Sequence, residues 1–355
     1  MAPQPATYHV RQTYQENYER ADLQPEAFPR PAHRPCELDL FGLPLASRLG
    51  IFSGPLLNTD WLLQYAGLGW DVLVYKTVRS GFKAAHPLPN CALITETEPL
   101  ALQSTRRPAF LTGSILWEKA QPPQLSMTNS FGMPSKTPAE WMPDIKKARA
   151  GLGQGQIVLV SVVGESVEDY VSTARMAKAA GAHGVELNLS CPNVCGREGS
   201  LFLDAEGSGE LCRAVGQALE ETPLVVKIGY VEDGAHLDRL LTQVCPFVQA
   251  VSGINTVPMD VLTPAGEPIL GPDRQRAGIC GDIIRDCGLH FARRVADWRE
   301  KRHARFKLLA GGGIMRPEHV EEYLSAGADV AMTATIVMFN PQLAHEYQAY
   351  RKASV

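Results

Sequence analysis

The sequence predicts an α/β protein built as one closed (β/α)8 TIM barrel, with an N-terminal arm and insertions over the C-terminal face. Three observations carry that reading. Apolar runs of strand length alternate with amphipathic runs of helix length until eight βα units have been counted. About 300 residues hold all eight, which suits one barrel better than two doubly wound domains. Polar residues collect at the C-terminal ends of the apolar runs, the face on which barrel enzymes build their sites. No longer repeat and no low-complexity segment interrupts the pattern.

Residues 1–45 are polar and proline-bearing, with Tyr14, Tyr18 and a short helix expected over 10–20. They read as an arm that packs on a larger body or stays partly disordered, and the barrel takes 46–355. The first strand starts near Leu49 and ends in a turn at Ser53-Gly54-Pro55. Asn58 or Thr59 caps the helix that follows, and Gly67 or Gly69 stops it. The second strand, 72–77, brings Lys76 near its C-terminal end. Residues 78–125 then break the rhythm with prolines and short apolar pieces, an excursion expected over the barrel mouth. A loop is expected over 128–134 and a helix over 138–150. Six further strands fit 157–162, 184–188, 224–228, 247–252, 307–310 and 329–332. Their helices fit 166–180, 208–220, 234–244, 285–302, 316–326 and 341–351.

Composition narrows the function class. A 355-residue chain that is 45% hydrophobic can bury a sizeable core, and a net charge of −4 without basic runs argues against nucleic acid. Eight cysteines are scattered with no C-x-x-C pair, so neither a disulfide framework nor a zinc or iron–sulfur site is expected, and no metal is assigned. The first residues show no apolar leader and no run approaches a membrane span, which makes a cytoplasmic setting the default.

On the barrel plan, Ser53, Lys76, Ser161, Asn188, Lys227, Ser252-Asn255-Thr256, Gly311-Gly312-Gly313 and Thr333-Thr335 share one face. A lysine ending an apolar strand often only escapes to solvent. Two lysines converging with asparagines fit that account less well. The Gly311-Gly312-Gly313 turn lets backbone N–H groups approach an anion, although an ordinary strand-to-helix turn would look similar. The stretch Glu186-Leu187-Asn188-Leu189-Ser190-Cys191-Pro192-Asn193 delivers two carboxamides and a thiol from a strand end into a loop. A cysteine is commonly a small core residue, but Asn188 and Asn193 on either side would be costly to bury unpartnered.

These motifs, in this order from about residue 50 to 341, resemble the cytosolic dihydroorotate dehydrogenases and the related catalytic domain of dihydropyrimidine dehydrogenase. The 186–194 stretch looks like the family's active-site loop. Asn129-Ser130-Phe131-Gly132-Met133-Pro134 looks like its substrate loop, and Ser252-Gly253-Ile254-Asn255-Thr256 like its second carboxamide segment. The resemblance implies FMN as cofactor, held by Ser53, Gly54, Lys76, Thr77, Ser161, Asn188 and Lys227. Its phosphate would rest on Gly278, Gly312, Gly313, Thr333 and Ala334. A flat pyrimidine-like ring would be bracketed by Lys76, Asn129, Gly132, Met133, Asn188, Asn193, Asn255 and Thr256. Carboxamides suit such a ring because each offers both a donor and an acceptor.

The implied reaction is oxidation of dihydroorotate to orotate, with hydride transfer to FMN and Cys191 as general base. A thiol titrates near 8.5, within reach of neutral pH. Family habit implies a homodimer and an electron-transfer partner that the sequence does not name. Cys195 with Gly196-Arg197-Glu198-Gly199-Ser200, Ala277, Asp286 and Thr333-Ala334 depart from the pattern. They leave open a sister oxidoreductase acting on dihydrouracil or another cyclic or α,β-unsaturated substrate. A non-catalytic flavin-binding partner subunit is a third reading.

Overall fold

The computed structural model describes residues 8–21, 37–116, 124–190 and 201–353. Eight parallel strands close into a barrel in the expected chain order. They are β3 (Leu49–Ile51), β4 (Val72–Val78), β8 (Ile157–Val162), β9 (Gly184–Asn188), β10 (Leu224–Lys227), β11 (Ala250–Gly253), β14 (Lys307–Gly311) and β15 (Val330–Thr333). β15 pairs with β3 to close the ring. Helices α2 (Thr59–Gly67), α3 (Pro138–Gly151), α4 (Val167–Ala179), α5 (Ala205–Leu219), α6 (Gly234–Val244), α7 (Arg285–Lys301), α8 (Pro317–Ser325) and α9 (Leu343–Ala353) follow in turn. Among the described residues no helix is long and apolar enough to cross a membrane.

The caps are local and chemical. The Asn58 side chain accepts from the Trp61 N–H, and Ser166 accepts from Asp169. Asp204 accepts from Gly207, so α5 starts at Ala205, three residues before the expected 208. Each such oxygen satisfies a donor that the first helical turn leaves without a partner.

Strand alternation decides what fills the barrel. Val72, Val74, Ile157, Leu159, Val225, Ala250, Leu309, Val330 and Met332 form the interior cluster, while their chain neighbours such as Leu73, Val158 and Val226 pack against the helices. Fully burying one such aliphatic side chain contributes roughly 1.5–3 kcal/mol. The hairpin β1 (Leu38–Leu40) and β2 (Leu43–Leu45) adds Leu40 and Leu45 to that interior cluster. Ala46 then bonds to Gly155 just before β8, so the hairpin closes the N-terminal end of the barrel.

Where the sequence suggested an excursion and a loop, the structure contains a second sheet. β5 (Cys91–Ile94), β6 (Leu111–Ser114) and β7 (Ser126–Asn129) follow β4, while β12 (Val257–Leu262) and β13 (Arg276–Gly281) follow β11. They close on one another in the order β12-β13-β7-β5-β6. The loop expected over 128–134 is therefore corrected: Thr128 and Asn129 end a strand. The reason is non-local. β7 is held by antiparallel pairing to β5 and β13, which come from distant parts of the chain and leave no period in the 126–129 run itself.

Candidate active site

The same alternation that buries Val72, Val74 and Val225 lifts Lys76 and Lys227 to the C-terminal end of the barrel interior. Ser161, Glu186, Asn188 and Ser252 arrive there by the same count. Lys227 is buried and its ammonium lies 4.7 Å from the centre of the Phe52 ring. Burial pushes its pKa down, and the charge of Glu186 opposes that shift. Glu186 is wholly buried; one of its oxygens accepts from the Ser252 hydroxyl at 3.0 Å and the other has no hydrogen-bond partner.

Lys76 is half-buried, donates to the Gly54 carbonyl at 3.4 Å, and lies within 6 Å of the Tyr14 and Phe131 ring centres. Burial first, and the positive charge of Lys227 second, lower its pKa to about 8. Beside it a cavity of about 400 Å³ runs between residues 13–18, the 82–88 segment and β4. Lys76, Lys83 and Lys136 line it, and among the described residues no carboxylate does.

The remaining expected residues fall into three groups. Ser53, Thr77 and Ser161 form a hydroxyl row across β3, β4 and β8, with 3.5 Å between the first two and Thr77 donating to Ser161 at 3.0 Å. Gly54 adjoins that row and supplies the carbonyl that meets Lys76.

The second group is the turn after β14. Gly312 and Gly313 have φ of +136° and +73°, and a Cβ on Gly313 would sit 2.7 Å from Arg285. The Tyr323 hydroxyl donates to the Gly312 carbonyl at 2.6 Å. In a trans peptide the N–H points opposite to the carbonyl, so this bond turns the Gly313 N–H away from α8. Thr333 spends its hydroxyl on the Ile314 carbonyl at 3.1 Å, which leaves the 333–334 pair, with Ala334, only its backbone to offer.

The third group belongs to the second sheet. Asn129 ends β7 directly across from Gly278 on β13. Gly278 has no room for a side chain because Thr256 packs on it, so packing alone accounts for that glycine. Asn129 donates to the Cys280 sulfur at 3.6 Å. Asn255 is tied by its N–H to the Ile228 carbonyl, and Thr256 follows it into β12. Gly132 and Met133 both have positive φ, and the His86 ring lies against Gly132. Asn188 accepts from the Ser190 N–H at 3.1 Å and donates toward the Met133 sulfur at 3.9 Å. Cys191 and Asn193, with Cys195 and the 196–200 run, lie outside the described residues.

A flavin phosphate fits this donor set. The turn at 312–313 has the close approach and the outward N–H that an anion needs. Among the described residues Glu186 Oε1 and Ser190 Oγ, at the end of β9, are buried polar atoms with no partner. Such atoms are costly unless a ligand or water meets them. Among the described residues no group of three His, Cys, Asp or Glu is placed to hold a metal ion.

Sequence reading gave no role to Glu186, Phe52, Phe131 or Tyr14. Glu186 carried a signal, an acid in an otherwise apolar strand. The two phenylalanines and the tyrosine carried none, because each matters through what it touches.

Comparison with known proteins agrees with this architecture. The family model for dihydroorotate dehydrogenase matches residues 120–347. A dihydroorotate dehydrogenase of Dictyostelium discoideum is 36% identical over 329 residues, 89% of this chain and 88% of its own length. The catalytic subunit of a dihydroorotate dehydrogenase B (NAD(+)) from Staphylococcus carnosus is 28% identical over 53% of this chain and 59% of its own length. Its counterpart in Thermodesulfovibrio yellowstonii is 27% identical over 61% and 68%. By the match over most of its length and the barrel that carries it, the chain belongs to the dihydroorotate dehydrogenase family, oxidoreductases that act on CH–CH groups.

Proposed function

We propose that this protein oxidises dihydroorotate to orotate with FMN as its cofactor, Cys191 being the general base. The observation that carries the reading is the buried Lys227, set beside Phe52 and opposite Glu186 where the barrel opens, on the same rim as Asn188. Glu186 offsets part of the cost of a cation that deep, and negative charge developing beside it during the reaction would offset more. The Dictyostelium relative bears the name of this activity over nearly its whole length, which supports the choice of substrate.

When bound, FMN supplies the hydride acceptor. Ser53, Gly54, Thr77 and Ser161 would line it, and Gly312, Gly313, Thr333 and Ala334 would hold its phosphate through backbone groups, whereas Gly278, paired on both sides within the second sheet, would not. Lys227 stabilises negative charge beside the barrel axis. Asn129, Asn188, Asn193 and Asn255, with Gly132, Met133 and Thr256, orient the ring by offering donors and acceptors in alternation. Lys76 receives the substrate's negative charge, and Cys191 takes the proton from the carbon next to the one that loses hydride. A positioned base of this kind is worth roughly 10²–10⁴-fold.

Anaerobic mixing tests the proposal. Purified protein should be yellow, release FMN on heating, and bleach with dihydroorotate faster than with dihydrouracil. Cys191→Ala should keep its colour and bleach roughly 10²–10⁴-fold more slowly. A colourless protein that takes up no FMN, or preferential bleaching by dihydrouracil, would overturn the cofactor or the substrate respectively.

A further inference from the structure

The segment 8–21 reaches the mouth of the barrel, and no part of the assigned chemistry uses it. Its helix α1 (Tyr14–Glu19) opens with a capping box between Thr13 and Glu16. The buried Asn17 side chain gathers the carbonyls of His9, Gln12 and Thr13. Two bonds then fasten the helix to the barrel: Trp61 Nε1 donates to the Asn17 carbonyl at 3.0 Å, and Asn58 Nδ2 to the Tyr18 carbonyl at 2.6 Å. Tyr14 is thereby fixed with its ring 5.9 Å from the Lys76 ammonium.

Phe131, from the 129–134 loop, lies 5.5 Å from the same ammonium and 6.4 Å from the Tyr14 ring. Tyr8 packs its ring edge-on against Phe131 at 5.4 Å. Among the described residues no carboxylate pairs with Lys76, and the one hydrogen bond of its ammonium is the 3.4 Å contact to Gly54. A lysine on a four-carbon stem needs something to hold it in one place. A carboxylate would do so by neutralising it and occupying its donors. Aromatic faces attract the ammonium while leaving its N–H groups free for a ligand.

We propose that Tyr14 is a positioning residue for the active site: with Phe131 it boxes the Lys76 ammonium, so that the segment 8–21 sets affinity for the anionic substrate. This rests on the reading of Lys76 as a substrate contact. The test compares Tyr14→Leu, Tyr14→Phe, Lys76→Ala and the double variant Tyr14→Leu/Lys76→Ala as FMN-loaded full-length proteins. KM, kcat and FMN content would be measured, with orotate affinity read from the flavin spectrum.

Tyr14→Leu should raise KM and the orotate dissociation constant by roughly tenfold, the scale of a lost cation–π contact at a desolvated site. Its kcat and FMN content should hold. Tyr14→Phe keeps the ring face and should behave as wild type, and the double variant should be no worse than Lys76→Ala alone. Wild-type affinity in Tyr14→Leu, failure of Tyr14→Phe to rescue, or additive losses in the double variant would each overturn the proposal. If Tyr14→Leu does not fold, Phe131→Leu removes the other wall and must give the same KM effect. Should Lys76→Ala bind and turn over normally, the reading of Lys76 itself fails. An impaired Lys76→Ala beside a normal Tyr14→Leu defeats only the aromatic box.

Discussion

The barrel and the five-stranded sheet beside it furnish one rim by opposite means. On the barrel, Lys227, Glu186, Ser161 and Ser252 are next in an alternation whose preceding members are Val225, Gly184, Leu159 and Ala250, so the core that stabilises the fold also aims the polar groups. On the sheet, Asn129 and Gly278 meet because β7 and β13 pair across about 150 residues of chain. The first arrangement is buried. The second is more open, with Asn129, Asn255 and Thr256 half-buried. The division suggests that changes on the barrel side should damage flavin chemistry, and changes on the sheet side should damage ring binding.

The largest expected effect is on the barrel side. Lys227→Met should slow flavin reduction by roughly 10²–10³-fold, the cost of removing one preorganised charge-stabilising donor. It also removes the positive charge near the buried Glu186 carboxylate, which should lower thermal stability as well. Adding Glu186→Gln should recover much of the lost thermal stability and none of the rate, as a melting curve beside stopped-flow traces will show. Recovery of both would mean that Lys227 serves packing alone.

Next comes Gly313→Ala. The positive φ costs an L-residue roughly 1–2 kcal/mol, and the new Cβ would press on Arg285. FMN affinity, followed by fluorescence of released flavin, should fall, while substrate affinity of the fraction that stays loaded is unchanged. The sheet-side counterpart is Asn129→Ala or Asn255→Ala. Each should weaken orotate binding by roughly 1–3 kcal/mol by leaving ring polar atoms unpaired, with full flavin content. Loss of FMN from either asparagine variant would erase the distinction between the two regions.

The smallest effect is one of pH. Lys76 has a pKa lowered to about 8, so it is charged below that value and loses its proton as pH rises through it. Affinity for an anionic substrate should therefore fall above about pH 8. Lys76→Arg, which keeps its charge to far higher pH, should remove that fall. A KM profile flat through pH 9 in the wild type would place the substrate's charge elsewhere.

Much of the barrel was legible because its signals are local. Eight apolar runs, the helix cap at Asn58 and the glycines after β14 each state their structure within a few residues. The expected strands also carried Lys76 and Lys227 at their C-terminal ends, as β4 and β10 do. The helical start at Ala205, three residues before the expected 208, shows the usual looseness of a helix boundary.

What the sequence by itself determined, then, was the barrel and which polar residues its strands carry at their C-terminal ends. Tertiary structure alone decided the second sheet, the seating of Leu40 and Leu45 under the barrel, the pairing of Glu186 with Ser252, and the rings of Tyr14 and Phe131 around Lys76. The physical reason is range. A strand period or a helix cap is written in neighbouring residues. An antiparallel ladder between residues 126–129 and 278–281, or an aromatic face against an amine 62 positions away, acquires its energy only when the folded chain brings the partners together.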